Sequence, residues 1–403
     1  MFITEFLLNN EGIIPNYIEY LLKEDLDKLL SLSSTKLQEK IDITIIKHLS
    51  EVLQCSCIID SKIDKDKYYI QLGTYNGGVD FVVKSNNNIV NYLNLTPSPS
   101  PVTEYKKNVF YEKSFSELNF LETPEGKICN PAGTQPRALL FLLSGSGPQD
   151  MDYRIGNNAI FKEIAHGLTK FGISTVRFNK RFYKKVDFLD YSLVNLKNEI
   201  IDDAINIIQL VTSNEMYKNT PFFIAGHSLG AYLTPMISHQ IMIKLNLRPI
   251  GLILLSMPYR RIDVLLKDQL SKLDNSNHHM TENIKKQHSL LLKNIEKKYF
   301  KELNNSHPLN YIKKMNKIPL FIAQGDQDIQ IDVEKDFNQW ESELIKRENA
   351  KFQLYKDINH ILTKINPEFN AAEQYLKKGE VSKALIEDIG KWILKNNLDT
   401  FVK

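Results

Sequence analysis

Residues 222–235 read Phe222-Phe223-Ile224-Ala225-Gly226-His227-Ser228-Leu229-Gly230-Ala231-Tyr232-Leu233-Thr234-Pro235. A short apolar strand pattern runs into G-x-S-x-G, and a helical pattern follows. In that setting the chain must turn sharply, which strains the backbone at Ser228 and points its hydroxyl outward. Gly226 and Gly230 are needed because a Cβ at either position would clash with the strand or the helix. The helix start also favours negative charge forming beside the serine. Ser228 is the candidate nucleophile.

A serine hydroxyl needs a base to take its proton. With a nucleophile on such a turn, the partners follow in the order acid, then histidine, each after a strand. Gly325-Asp326-Gln327-Asp328-Ile329-Gln330-Ile331 follows the strand pattern that ends near Ala323. Either aspartate could serve; Asp328 fits a G-x-x-D-x-x-aliphatic loop, whereas Asp326 suits a turn brace. His360 lies just past the last strand pattern, in Asp357-Ile358-Asn359-His360. The other histidines fit worse. His278, His279, His288 and His307 fall in an insertion, His48, His166 and His239 sit upstream in helical stretches, and His227 is inside the turn, where it packs.

Charge developing on a substrate carbonyl needs two backbone N–H groups aimed at it. Leu229, next to the nucleophile, offers one. Ser144-Gly145-Ser146-Gly147-Pro148-Gln149-Asp150 follows an earlier strand, and its small residues let backbone approach a ligand. Ser146 is the expected second donor. The loop matches neither phosphate-cradling pattern, having no Gly-Lys-Ser/Thr and no G-x-G-x-x-G.

Strand and helix patterns alternate around these motifs. Strands are expected near 109–111 and 118–121, then at 138–143, 173–178, 222–225, 250–255, 318–323 and 351–354, with helices near 159–170 and 200–211. This alternation implies an α/β architecture with a mostly parallel central sheet covered by helices on both faces. Residues 261–317 exceed what one crossover needs. Leu291, Ile295, Tyr299 and Leu303 continue a helical stripe through them, so a helical cap insertion is expected there.

The first hundred residues differ. Ile18, Leu21, Leu22, Leu26, Leu29 and Leu30 suggest one helix, and Leu37, Ile41, Ile45 and Leu49 a second. Residues 68–72 and 79–83 read as a β-hairpin turning at Asn76-Gly77-Gly78. Thr96-Pro97-Ser98-Pro99-Ser100-Pro101 reads as a stiff linker. The expected division is an N-terminal accessory domain with linker at 1–101 and a catalytic domain at 102–403.

Composition sets the outer bounds. The 403 residues carry 51 basic and 48 acidic side chains, a net charge of +3, so no nucleic-acid platform is expected. No run of about 18 apolar residues suits a membrane span. The start lacks a secretory leader pattern, and Cys55, Cys57 and Cys129 give no disulfide framework, so a cytoplasmic location is expected.

Taken together, the motifs resemble a bacterial branch of the α/β-hydrolases, esterases with a Gly-Ser-Gly-Pro-x-Asp oxyanion loop. Ser144–Asp152 is similar to their H-G-S-G-P-x-D-R-D, Arg177-Phe178-Asn179-Lys180-Arg181 to their R-x-D-K-R, and residues 226–235 to their turn and helix, proline included. The loop around Asp328 and the pair Asn359-His360 match the acid and base segments. The resemblance spans roughly residues 105–400. It implies an α/β-hydrolase fold and hydrolysis of small carboxylic esters with short acyl groups, through a Ser228-His360-Asp328 triad and an acyl-enzyme. No metal or organic cofactor is implied. The N-terminal region resembles a small α+β accessory domain found ahead of some relatives. Ser144, Met151, Asn179 and Phe182 depart from the family's His, Arg, Asp and Gly, which bears on loop bracing and pocket shape. The same triad would serve a thioesterase, peptidase or acyltransferase, and a binding protein on this fold is the rival of another class.

Overall fold

The computed structural model describes residues 6–7, 10–54, 57–64, 66–74, 77–97, 110–120, 122–183, 194–274, 297–370 and 373–401. Among the described residues the N-terminal region forms the helices Ile13–Leu22, Leu26–Ser31, Thr35–Gln38 and Ile43–Gln54. An antiparallel sheet follows, β1 (Cys57–Asp64), β2 (Lys67–Thr74), β3 (Gly77–Asn86) and β4 (Ile89–Pro97), ordered as in the chain. Tyr68, Ile70 and Leu72 alternate inward from β2 and meet Tyr17, Ile18 and Leu21 of the first helix in one apolar cluster.

This is richer than the two helices and one hairpin expected. The first helix stops because Glu24 adopts φ 55 and Asp25 caps a new helix, its carboxylate accepting the Lys28 N–H at 3.2 Å. The edge strands β1 and β4 are broken by Asp, Lys and Asn, which hides their periodicity. The hairpin itself forms as expected, with Thr74 opposite Gly77. Thr96 and Pro97 belong to the end of β4. The rest of the expected linker lies outside the described residues.

The larger sheet has eight strands: β5 (Phe110–Ser114), β6 (Gly126–Pro131), β7 (Ala138–Leu143), β10 (Ile173–Phe178), β11 (Phe222–His227), β12 (Gly251–Leu255), β13 (Leu320–Gly325) and β14 (Ala350–Tyr355). A two-residue ribbon, β8 (Arg154–Ile155) with β9 (Asn158–Ala159), stands apart from it. The order is β14-β13-β12-β11-β7-β10-β6-β5. Neighbours from β14 to β10 run parallel, while β6 and β5 add antiparallel pairs at one edge. The sheet is thus mostly parallel, as the alternation implied.

The apolar run of β7 explains the two layers. Leu139, Phe141 and Leu143 enter the core under helices Asp202–Ser213 and Leu229–Leu245. Ala138, Leu140 and Leu142 enter the opposite core, under Ile160–Leu168 and Lys383–Phe401. One expectation at the antiparallel edge needs correction, and one strand there was not expected. Residues 118–120 do not form a strand, and residue 121 lies outside the described residues; Leu118 and Asn119 sit in turns closed by N–H bonds to Phe115 and Ser116 carbonyls, with Asn119 at φ 59. The unforeseen strand is β6, where Lys127 and Asn130 interrupt the apolar pattern.

Between β12 and β13 lie helices Ile262–Asp274, Lys297–Asn305 and Pro308–Ile312. Leu291 and Ile295 of the expected stripe lie outside the described residues. Tyr299 and Leu303 are buried. The Tyr299 hydroxyl donates to Glu199, which also accepts Lys180 Nζ at 2.9 Å, and Tyr232 Oη donates to the Leu303 carbonyl at 3.3 Å. No described helix is long and apolar enough to cross a membrane.

Candidate active site

Parallel strands deliver their following loops to one rim of the sheet, and the predicted residues lie on loops after β7, β11, β13 and β14. Ser228 sits between β11 and its helix at φ 54, ψ −122, the strained turn foreseen from the motif. Its N–H donates to the Leu255 carbonyl at 2.9 Å, and its carbonyl accepts the Tyr232 N–H at 3.0 Å. A Cβ at Gly230 would overlap the carbonyl oxygens of Leu143 and Ser144, and one at Gly226 would overlap Gly230. The turn therefore packs directly against the loop after β7.

The structure separates the two aspartates. Asp328 Oδ2 lies 2.8 Å from His360 Nδ1, with both side chains buried. Its Oδ1 accepts the N–H groups of Gln330 (2.9 Å) and Ile331 (2.8 Å), so the carboxylate is fixed before it meets the ring. Asp326 instead accepts the Asp357 N–H at 2.7 Å and ties the loop after β13 to the loop after β14. The His360 ring lies 4.7 Å, centroid to centroid, from the ring of His227, the residue before Ser228. Among the described residues, Ser228 and the His360 ring share no direct hydrogen bond. Such contacts often form fully only with substrate bound.

The loop after β7 is held from several sides. Gln149 Nε2 donates to the Ser146 carbonyl (3.1 Å), and the Lys180 N–H to the Gln149 carbonyl (2.9 Å). Asn179 Oδ1 accepts the Met151 N–H at 2.7 Å while its Nδ2 donates to Glu125 at 3.1 Å. An amide oxygen accepts that N–H as a carboxylate would, so Asn179 braces this loop. Asp150 pairs with Arg154, and buried Arg177 pairs with Glu112 and, at 3.0 Å, with Asp152. Ser146 itself is exposed, and Leu229 begins its helix, where an N–H has no carbonyl one turn back.

Esterase EstD of Thermotoga maritima is 32% identical to this chain over 308 residues, 73% of this chain and 71% of that protein. The chain belongs to the α/β-hydrolase esterases. No protein-family model matches it. Solved structures resemble it loosely. An esterase/lipase from an uncultured bacterium aligns at TM-score 0.49 and 11% identity, over 73% of this chain and 87% of that one. Esterase Pf2001 of Pyrococcus furiosus aligns at 0.44 and 14%, over 74% and 98%.

The esterase thus hydrolyses carboxylic esters on a mostly parallel sheet. Sequence reasoning missed one feature of its rim: Tyr153, just after the Asp150–Asp152 motif, reaches His227 with its hydroxyl. Nothing in the spacing of 153 and 227 signals that contact. The described residues also gather Glu112, Cys129 and His166 with ligand atoms within 4.8 Å of one another. Strand pairing sets Glu112 opposite Cys129. Arg177 and Lys127 already supply positive charge to that carboxylate, and burial pushes the Cys129 thiol up to about 12, so the group reads as a buried ion-pair cluster.

Proposed function

We propose that the esterase cleaves small short-acyl esters with Ser228 as nucleophile, His360 as general base and acid, and Asp328 as the group orienting His360. One observation carries the reading: the buried Asp328–His360 pair at 2.8 Å, packed against the residue before a serine at positive φ. A carboxylate on Nδ1 holds the proton there and leaves Nε2 to accept one from serine.

Ser228 Oγ bonds to the ester carbonyl carbon while its proton passes to His360 Nε2. The tetrahedral oxyanion collapses, the C–O bond to the alcohol breaks, and His360 protonates the departing alkoxide. Water then attacks the acyl-enzyme, its proton going to His360. Collapse releases the carboxylic acid and returns the proton to Ser228. Leu229 and Ser146 N–H groups receive the oxyanion. Ser146 is exposed on its loop, whereas Gly145 is buried against the Tyr153 hydroxyl, which supports Ser146 as the donor from that loop.

In this reading, residues 1–101 form an accessory domain, supported by their separate apolar cluster. The insertion at 261–317 forms a cap, supported by the burial of Tyr299 and Leu303. Replacing Ser228 by Ala should lower kcat toward p-nitrophenyl acetate by about 10³-fold or more and abolish fluorophosphonate labelling. Near-parental turnover in that variant would refute the assignment. An acyl-length series should peak at short chains.

A further inference from the structure

Behind the rim runs a buried row of two hydrogen bonds that the reaction above does not use. The Tyr153 hydroxyl packs against Gly145 in the loop after β7, so closely that a Cβ there would overlap it. Tyr153 Oη lies 3.0 Å from His227 Nδ1, and His227 Nε2 lies 2.7 Å from the His360 carbonyl oxygen. A carbonyl can only accept, so Nε2 carries the proton, Nδ1 accepts, and the Tyr153 hydroxyl must donate to it. Both donors therefore point the same way, from Tyr153 toward the loop after β14.

We propose that Tyr153 is a positioning residue for ester hydrolysis. By packing on Gly145 it sets the loop that offers Ser146 to the oxyanion, and by hydrogen bonding through His227 it sets the main chain of His360. The proposal rests on the Ser228–His360 reading above. Those two loops are more than 200 positions apart in the chain, yet the reaction needs both placed to a fraction of an ångström. A misplacement of about 1 Å costs on the order of 10²-fold in rate.

Local structure supports a role beyond filling space. Tyr153 adopts φ 51, a costly conformation for an aromatic residue that persists only where its surroundings impose it. Its N–H donates to the Asp150 carbonyl at 3.0 Å, and its carbonyl accepts the Ile160 N–H at 3.2 Å. A Cβ at Gly145 would overlap the Tyr153 hydroxyl, so the glycine permits the contact. Tyr153 and His227 are 3% and 0% exposed, which leaves water no route to replace a lost partner. Burial and the nearby His360 push the His227 pKa down to about 3, consistent with a neutral ring whose nitrogens are both committed.

The test compares full-length parent, S228A, Y153F, H227L and H227Q on p-nitrophenyl acetate, reading kcat, KM and melting temperature. S228A examines the underlying triad by itself: if it keeps parental turnover, that reading fails whatever Tyr153 does. Phenylalanine keeps the ring and its packing and removes only the hydroxyl. Y153F is expected to lose about 10- to 100-fold in kcat with KM within about twofold. Gln can accept and donate as neutral imidazole does, so H227Q should recover most of the kcat that H227L loses. The Y153F/H227L double variant should fall little below Y153F, because both break one row. A folded Y153F with kcat within about twofold of parent, or losses that multiply in the double variant, would overturn the proposal. Should Y153F not fold, equal kcat in H227Q and H227L would do the same.

Discussion

Tyr299 and Glu199 stand 100 positions apart in the chain and share a buried hydrogen bond, the Tyr299 hydroxyl donating to the Glu199 carboxylate. Glu199 also takes Lys180 Nζ at 2.9 Å, so one carboxylate joins the insertion, the π-helical turn Lys197–Ile201 and the strand end beside the loop after β7. The two partners differ in what their loss leaves behind. Tyr299→Phe removes one donor while the ion pair survives, and should cost about 1 kcal/mol. Glu199→Gln leaves the Lys180 ammonium buried without its counter-charge, and should cost about 3 kcal/mol or more. Urea unfolding of the two variants measures the difference; equal losses would contradict it.

Asp328→Asn should keep the fold and lower kcat by about 10⁴-fold, because an amide can donate to Nδ1 and stabilise the wrong tautomer of His360. Asp326→Asn should retain kcat within about tenfold, since its partner is the Asp357 N–H and an amide oxygen still accepts it. Steady-state kinetics on both variants check the assignment of the acid, which reverses if Asp326→Asn is the inactive one.

His227 links stability to pH. Its folded pKa of about 3 lies below the ordinary 6.5, because burial and His360 disfavour the charged ring. Above 6.5 neither folded nor unfolded chain binds this proton, and nothing is lost. As pH falls from 6.5 toward 3 the unfolded chain takes up a proton that the folded one refuses, so stability declines by about 1.4 kcal/mol per pH unit from this group. Carboxylates titrate in the same range and contribute to both proteins, so the measurement is a difference. Denaturant unfolding at pH 7, 5.5 and 4.5 should show a shallower decline for H227Q than for parent.

Cys129 should resist alkylation in the folded protein. It is buried on β6, and burial holds its thiol near 12, far from the thiolate form that reacts. Peptide mapping after iodoacetamide at pH 8 should find it unmodified under native conditions and modified in guanidinium. Native labelling at that residue would count against this packing.

What could be read in advance depended on how local the signal was. The strand–turn–helix around Ser228 and the apolar run at Ala138–Leu143 are written in consecutive residues, so both were legible. The acid loop was legible as a preference: the spacing favours Asp328 with Asp326 as a turn brace, and the fold sets Asp328 against His360 and Asp326 on the Asp357 N–H. Strand β6 was missed because Lys127 and Asn130 break its pattern, and its burial comes from β10 and β5 on either side. The break at Glu24 was missed because a non-glycine residue at positive φ carries no compositional mark. Tyr153 and His227 lie 74 positions apart, and their contact depends on the closed turn at 150–153, which no periodicity encodes.

Ser228 occupies a backbone conformation in which glycine rests more easily than serine, and its strain is worth about 1–3 kcal/mol. A glycine there would relax the main chain and delete the hydroxyl in one step. With Ser228 as the proposed nucleophile, directed evolution that rewards heat resistance alone would thus be drawn toward an inert protein. Selection for turnover must accompany it, and the glycine variant becomes a sturdy scaffold for trapping uncleaved ester in crystals.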